Sequence, residues 1–327
     1  MEHRTLGSTG REVSVVGLGT WQLGADWGEV DPAQARAVLD AAAGSGVTFF
    51  DTADVYGDGR SEQAIGAFLR DNPGLEVTVA TKMGRRAEQV PENYVLANFR
   101  QWVDRSRRNL GTDVLDLVQL HCPPTAVYGD DELYDALDTL VDEGAVRHYG
   151  VSVERTDEAL AAIARGRTAT VQIVLNAFRL KPLDDVLPAA EAAGVGIIAR
   201  VPLASGLLSG TYSETTTFAA DDHRAYNRDG AAFDVGETFS GVEFERGLAA
   251  VREFGQLVPE GTTTAQAAIA WITAQRGVST VIPGARSVDQ VRANAAAADT
   301  GGLGAALDAG VHDIYDRWFR EVVHARW

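Results

Sequence analysis

Short apolar runs alternate along the chain with longer segments that have helical spacing. The apolar runs, which are typical of strands buried on both faces, lie near 15–19, 47–50, 77–81, 114–120, 146–151, 170–175, 196–201 and 279–282. The Ala-rich helical segments lie near 32–43, 61–70, 91–110, 131–143, 156–165, 184–193, 264–276 and 287–298. This order of strand–helix pairs predicts an α/β fold, a (β/α)8 TIM barrel. A doubly wound sheet is the alternative, but it usually needs fewer strands.

Three segments depart from this alternation. A β-hairpin is predicted around residues 7–10, in L-G-S-T-G-R-E-V. A long loop, roughly 203–262, follows the seventh strand and carries a possible helix near 243–254; loops of this length are usually lids or binding loops. The segment 303–327 predicts a further helix. No linker or change of composition marks a boundary, so we expect one domain over 1–327.

Composition narrows the setting and the partners. No apolar run approaches the roughly 20 residues that a membrane span requires, and M-E-H-R-T-L-G lacks the layout of a signal peptide. The single cysteine, Cys122, excludes an internal disulfide and fits a reducing, cytoplasmic setting. The net charge of −17 argues against nucleic acid or an anionic membrane as a partner. Without Cys/His clusters at ligand spacing, no metal site is expected.

Polar side chains stand where successive predicted strands end. Asp51 ends the second strand, Lys82 the third and His121 the fourth, while Tyr56 follows Asp51 in V-T-F-F-D-T-A-D-V-Y-G. Because the carboxyl ends of barrel strands meet on one face, these four side chains are expected to lie together. Each has a simpler interpretation on its own, such as a helix cap for Asp51. Cys122, next to His121 in the strand, is expected to face the helices instead.

This set of side chains suits proton transfer to a carbonyl group. A free tyrosine has a pKa near 10, which a nearby ammonium lowers by favouring the phenolate. A carboxylate paired with the lysine holds that ammonium in place, so the tyrosine becomes a general acid. A histidine beside it orients the carbonyl oxygen and shares its developing charge. None of the four groups supplies hydride, so a reduction requires a cofactor.

With these residues in place, the sequence resembles the aldo-keto reductases over nearly its whole length. The shared motifs are G-L-G-T-W (17–21), F-D-T-A-D-V-Y-G (50–57), A-T-K (80–82), D-L-V-Q-L-H (116–121), Y-G-V-S (149–152), P-L-A-S-G-L-L-S-G (202–210) and I-P-G-A-R-S (282–287). The resemblance implies that Asp51, Tyr56, Lys82 and His121 form the catalytic tetrad. It also implies that Tyr56 donates the proton and that a nicotinamide cofactor, NADPH, delivers hydride.

The resemblance further implies which residues contact the cofactor. They are Gly19, Thr20, Trp21, Asp51, Ser152, Gln172, Arg200, Leu203, Ser205, Gly206, Gly210, Gly284, Arg286, Gln290 and Asn294. Arg200 stands where many members carry an aromatic that stacks on the nicotinamide, and Val153 where the family often has Asn. Arg286 is expected to select the 2′-phosphate, hence NADPH, at the start of a helix near Ser287. The absence of G-x-G-x-x-G argues against a Rossmann nucleotide site.

Alternatives and the substrate remain open at this point. A barrel lyase could use Lys82 as a Schiff base, and some relatives of the family are redox-sensing subunits of ion channels. The partner is expected to be a small carbonyl or alcohol, and a monomer is the family's commonest form. The substrate wall is expected to include Trp21, Trp27, 123–129, Tyr226 and Phe233. Arg85 and Arg86 could add charge to that wall.

Overall fold

A computed structural model describes residues 1–24, 31–165, 167–300 and 303–327 of the chain. Its strands are β1 (His3–Thr5), β2 (Glu12–Ser14), β3 (Leu18–Gly19), β4 (Phe49–Asp51), β5 (Thr78–Met83), β6 (Leu115–His121), β7 (Val146–Ser152), β8 (Thr168–Val174), β9 (Gly196–Arg200) and β10 (Val278–Val281). Its helices are α1 (Trp21–Gly24), α2 (Pro32–Gly44), α3 (Arg60–Asp71), α4 (Leu96–Leu110), α5 (Asp131–Asp142), α6 (Thr156–Ile163), α7 (Val186–Ala193), α8 (His223–Tyr226), α9 (Phe244–Leu257), α10 (Thr264–Thr273), α11 (Val288–Ala296) and α12 (Gly304–Trp318). Within these ranges, no helix is both long and apolar enough to cross a bilayer.

Strands β3 to β10 form one parallel sheet in the order of the sequence, and this confirms the predicted barrel. Each strand pairs with the next along the chain, from Leu18↔Phe50 to Val281↔Ala199. Two isolated parallel bridges, Val16↔Val281 and Gly19↔Gly284, join the first strand to the last. We call this junction the seam. It closes the sheet into a cylinder.

The N-terminal hairpin is confirmed and seals one end of the barrel. Strands β1 and β2 pair antiparallel, and Gly7 packs so closely on β8 and β9 that a Cβ there would lie 2.2 Å from the Ala169 carbonyl oxygen. The barrel interior holds a small apolar cluster of Leu6, Val13, Phe49, Ala80, Leu117, Ile198 and Ile282. Because strand side chains alternate, Asp51 shares a face with Phe49, and Lys82 shares one with Ala80. The charged side chains therefore lie beyond this apolar cluster, at the end of the barrel opposite the hairpin.

Helix positions agree with the sequence except near residue 91. The prediction of one helix over 91–110 was wrong at its start, because α4 begins at Leu96 after a short 3₁₀ turn, Pro91–Asn93. The extended backbone of Val95, with φ −123° and ψ 155°, separates the 3₁₀ turn from α4. The long loop carries α9, as expected, and α12 follows near the end of the chain.

Candidate active site

A buried ion pair between Lys82 and Asp51 lies at the carboxyl end of the barrel. The ammonium donates to Asp51 Oδ1 at 2.5 Å and to the Thr52 carbonyl at 2.9 Å. Both side chains are almost fully buried, with 1% and 3% of their surface exposed. Burial alone would lower the pKa of Lys82, but the charge and hydrogen bond of Asp51 raise it above its ordinary value. Lys82 is therefore a cation at neutral pH.

The second oxygen of Asp51 is held by two amide side chains. Gln172 Nε2 donates to Asp51 Oδ2 at 2.7 Å, and Gln119 Nε2 donates to the same oxygen at 3.3 Å. Gln172 was expected to hold a nicotinamide carboxamide; here its amide nitrogen also fixes the carboxylate. Gln119 was not among the predicted residues, although it lies two positions before His121 on the same strand face. The alternation of β6 could have revealed it.

Tyr56 stands directly beside this ion pair. Its hydroxyl lies 3.5 Å from Lys82 Nζ, and its ring lies edge-on to His121 with centroids 5.8 Å apart. Burial raises the pKa of Tyr56, and the Lys82 ammonium opposes that rise without cancelling it. The sequence argument considered only the lowering by lysine. The buried phenol thus keeps its proton at neutral pH, as a general acid must.

His121 is a neutral imidazole at this position. Burial, reinforced by the cations Arg85 and Lys82, holds the pKa of His121 well below its ordinary value. Its Nδ1 atom is buried without a hydrogen-bond partner among the described residues. A neutral imidazole can donate one hydrogen bond to a carbonyl oxygen, so His121 suits the orienting role.

The loop that carries Tyr56 is fixed by a close backbone contact. Gly57 has φ +56°, and a Cβ on it would lie 1.7 Å from the carbonyl oxygen of Gly24. A Cβ on Gly24 would likewise lie 2.6 Å from the carbonyl carbon of Tyr56. Only glycine fits both positions, so α1 and the Tyr56 turn pack backbone against backbone.

Cys122 faces the cavity, and the prediction that it would face the helices was wrong. Its φ of +48° breaks the alternation of β6 immediately after His121. The thiol lies 3.5 Å from Ser152 Oγ and 3.8 Å from Arg200 Nη2. Burial raises the pKa of Cys122 to about 12, so this thiol is a poor nucleophile.

Two arginines and two glutamates form a ring of ion pairs next to the tetrad; we call it the arginine–glutamate ring. Arg200 contacts Glu154 at 2.9 Å and Glu237 at 3.2 Å. Arg85 contacts the other oxygen of each glutamate at 3.3 Å, and its Nε donates to the His121 carbonyl at 3.2 Å. The two carboxylates and the Cys122 thiol lie close enough together to hold a metal ion. The arginines, however, already pair with the carboxylate oxygens.

The ring was largely missed by the sequence argument. Glu154 follows the end of β7 by two residues, which is a weak signal, and Glu237 lies in the long loop with no motif around it. Glu237 is positioned by Ser205 Oγ, which donates to its carbonyl at 2.9 Å. On the other side, Trp327 Nε1 donates at 3.0 Å to Asp234, which caps the turn that carries Glu237.

The tetrad opens into a cavity of about 630 Å³ that extends to the start of α11. The predicted cofactor residues that line it are Gly19, Thr20, Trp21, Asp51, Ser152, Gln172, Arg200, Leu203, Ser205, Gly206, Gly284, Arg286, Gln290 and Asn294. Gly210 is not among the described lining residues; a Cβ at this position would lie 2.9 Å from Thr264 Oγ1. Lys82 contacts Tyr56 from beneath the cavity wall.

The far end of the cavity is built around the first turn of α11. Ser287 caps this helix by accepting from the Gln290 backbone at 3.2 Å. Gln290 Oε1 accepts from the Arg286 backbone at 2.8 Å, and Asn294 donates to the Gly284 carbonyl at 3.3 Å. The helix dipole and Arg286 favour an anion here.

Of the residues expected in the substrate wall, only one lines the described cavity. Trp21 lines the cavity, whereas Tyr226, Phe233 and 123–129 are not among the described lining residues. Phe233 packs edge-on against Trp21, at 6.2 Å between centroids. Trp27 lies outside the described residues.

His223 and Arg224 of the long loop line the cavity and were not predicted. His223 lies 5.2 Å from Trp21 between ring centroids, so the long loop contacts the start of α1 beside the cavity. Of the two arginines considered earlier, Arg85 joins the arginine–glutamate ring, whereas Arg86 pairs with Asp58 on the surface.

Asp54, two residues before Tyr56, is a buried carboxyl group whose oxygens both lack hydrogen-bond partners among the described residues. Burial, reinforced by Glu62, raises its pKa to about 7, while Arg86 and Arg105 oppose the rise. The unfolded chain releases this proton near pH 4. Stability should therefore fall as pH rises from about 4 to about 7, because the folded state retains the proton.

We expect Asp54→Asn to be more stable than the wild type at pH 8, by up to about 4 kcal/mol, since each pKa unit corresponds to about 1.4 kcal/mol. The difference should shrink towards zero near pH 4. Urea unfolding at both pH values measures it. Asp113→Asn, at an exposed position away from these arginines, is the control. A stability gain that does not change with pH would show that Asp54 is not a raised acid.

Residues 15–304 match the aldo/keto reductase family. The chain is 31% identical to the aldo-keto reductase YhdN of Bacillus subtilis (strain 168), over 90% of this chain and 87% of that protein. The solved glycerol dehydrogenase AKR11B4 from Gluconobacter oxydans is similar with a TM-score of 0.79 and 30% identity, covering 97% of this chain and 95% of that one. An aldo-keto reductase from Klebsiella pneumoniae in complex with NADPH has a TM-score of 0.70 and 26% identity, with 96% of each chain covered. The chain therefore belongs to the aldo/keto reductase family.

Proposed function

We propose that this protein is a single-domain, NADPH-dependent oxidoreductase that reduces aldehydes or ketones to alcohols, with Tyr56 as general acid. The observation that carries the proposal is the Lys82 ammonium, which contacts both the Asp51 carboxylate and the Tyr56 hydroxyl beneath a cavity wall. His121 packs edge-on against the ring of the same tyrosine and lines the same cavity. Proton donor, orienting group and fixed cation thus converge on one point.

Each residue has a distinct part in the proposed reaction. The substrate carbonyl oxygen accepts hydrogen bonds from Tyr56 and His121. NADPH, when bound, would supply the hydride for the carbonyl carbon. As negative charge develops on the oxygen, Tyr56 transfers its proton and becomes a phenolate. Lys82 stabilises that phenolate, and Asp51 keeps the ammonium in place. The alcohol leaves, and Tyr56 regains a proton from solvent.

The cavity fits a dinucleotide that binds in an extended form. Its volume of about 630 Å³ lies within the usual range for ligand sites. The loop after β9 is strained there, since the β-branched Val201 has φ +55° and Ser205 has φ +56°. Such strain is typical of ligand clamps. Leu203, Ser205 and Gly206 would hold the phosphates, and Arg286 the 2′-phosphate.

The Schiff-base lyase is disfavoured by the environment of Lys82. A nucleophilic lysine must lose its proton, but the pKa of Lys82 is raised by its pairing with Asp51. The ammonium is also 1% exposed and lies beneath Tyr56. A substrate carbonyl would have to displace Tyr56 to reach it.

A nicotinamide oxidation assay across aldehydes and ketones tests the proposal. We expect turnover with NADPH and a higher KM for NADH. Arg286→Ala should raise the KM for NADPH about tenfold or more, because a charge-assisted phosphate contact is lost, and should leave NADH nearly unchanged. Arg292→Ala is the matched control, since it removes the same charge from an exposed position of α11.

Two results would contradict the proposal. Equal effects of Arg286→Ala on both nucleotides would remove Arg286 as the phosphate ligand. Tight NADPH binding with negligible turnover on every carbonyl would instead indicate a redox-sensing regulatory subunit.

A further inference from the structure

The arginine–glutamate ring is a closed set of four ion pairs. Each carboxylate uses one oxygen for Arg200 and the other for Arg85, at distances of 2.9–3.3 Å. Arg200 is 8% exposed, and Glu154 and Glu237 are 13% and 14% exposed. With all four groups ionised, two positive charges balance two negative ones. The ring is therefore neutral only as a complete set.

The ring lies against the reacting centre. Arg200 and Glu237 line the cavity together with Tyr56 and His121. Arg85 is bonded to the backbone carbonyl of His121, and Arg200 Nη2 donates to the Val153 carbonyl at 2.9 Å. Glu237 also raises the pKa of Tyr56, so the charge of the ring acts on the atoms of the tetrad. A change of one unit charge in the arginine–glutamate ring should therefore alter the binding energy of a charged ligand that lies beside the tetrad.

We infer that the arginine–glutamate ring sets the relative affinity of this site for oxidised and reduced nicotinamide. The inference rests on the proposed function. The oxidised nicotinamide ring carries a positive charge that the reduced ring lacks, while the rest of the two cofactors is the same. A net positive charge on the arginine–glutamate ring disfavours binding of the oxidised nicotinamide, and a net negative charge favours it. The intact, neutral ring keeps both forms bound during turnover in either direction.

The ionisation of the two glutamates supports this balance. Burial opposes the charge on Glu237, but Arg200 and Arg85 outweigh it and lower its pKa. Burial and the neighbouring Glu237 carboxylate raise the pKa of Glu154, against the attraction of Arg200. The test is therefore made at pH 8, which favours the ionised form of both carboxylates and hence a neutral ring.

Two substitutions of opposite charge test the inference at pH 8. Glu237→Gln leaves the ring positive and should raise the ratio of the NADP⁺ Kd to the NADPH Kd about tenfold. This equals a shift of about 30 mV in the midpoint potential of the bound couple. Arg200→Met removes a positive charge and should lower the same ratio. NADPH affinity is measured by its fluorescence, and NADP⁺ affinity by competition.

Controls separate an electrostatic role from a structural one. Glu253→Gln, which breaks a surface pair with Arg317 outside the cavity, should leave the ratio unchanged. If Glu237→Gln does not fold, Glu154→Gln makes the same charge change in the same ring. Equal changes in both Kd values, with the ratio constant in both variants, would overturn the inference. If the wild type binds neither nucleotide, the proposed function fails instead.

Discussion

Tyr56→Phe is expected to lower carbonyl reduction by about 10²–10⁴-fold while NADPH binding survives. The substitution removes only the hydroxyl that lies 3.5 Å from Lys82 Nζ, and general acid catalysis contributes a factor of this size. The phenyl ring keeps its edge contact with His121, so the cavity wall should hold its shape. Single-turnover kinetics with NADPH, together with fluorescence titration of NADPH, measures both quantities.

Tyr134→Phe is the matched control for this change. Tyr134 lies on α5, and its hydroxyl donates to the Tyr128 carbonyl at 3.3 Å, away from the described cavity lining. Its loss should leave turnover unchanged. Undiminished reduction by Tyr56→Phe would remove Tyr56 as the proton donor. A parallel loss of NADPH affinity would mean that the hydroxyl acts in binding instead.

Lys82→Met should both inactivate the protein and destabilise it by about 3–5 kcal/mol. The substitution leaves Asp51 as a buried carboxylate without its cation, and removing one partner of a buried pair has a cost of this size. The phenolate of Tyr56 also loses its stabilising charge. Urea unfolding and a reductase assay on the same preparation measure the two effects.

A double variant separates the two effects of Lys82. Asp51→Asn combined with Lys82→Met removes both charges and should recover much of the lost stability, but none of the activity. Lys181→Met is the control, because Lys181 is the only other lysine in the chain. If Lys82→Met alone were as stable as the wild type, the Lys82–Asp51 ion pair would not stabilise the fold. Residual reduction at the wild-type rate would exclude Lys82 from the reaction.

Strand ends could be predicted because they obey local rules. Gly and the change from helical spacing to short apolar runs marked the barrel strands, and a polar residue stood at the end of each of the three strands concerned. Asp51, Lys82 and His121 were found in this way, since each belongs to a different strand of one parallel sheet. Their convergence follows from barrel geometry alone.

The remaining parts of the site depend on contacts that the sequence does not display. The direction of Cys122 depends on a left-handed residue after a strand, which periodicity cannot show. Glu237 reaches Arg200 from a loop, across 37 positions of the sequence, and no motif marks it. The pKa of Tyr56 depends on how deeply the ring is buried, which is a property of the packed barrel. All three features depend on tertiary contacts between segments that are distant in the sequence.

The seam gives ligand binding a second consequence. Two isolated bridges close the barrel there, and residues of both sides, Gly19 and Gly284, line the cavity. A ligand that fills the cavity contacts Gly19 on the first barrel strand and Gly284 just after the last one, so its binding should stabilise the junction between them. By linkage, part of its binding free energy holds the barrel shut. Cofactor binding and the stability of the closed barrel are thus thermodynamically linked.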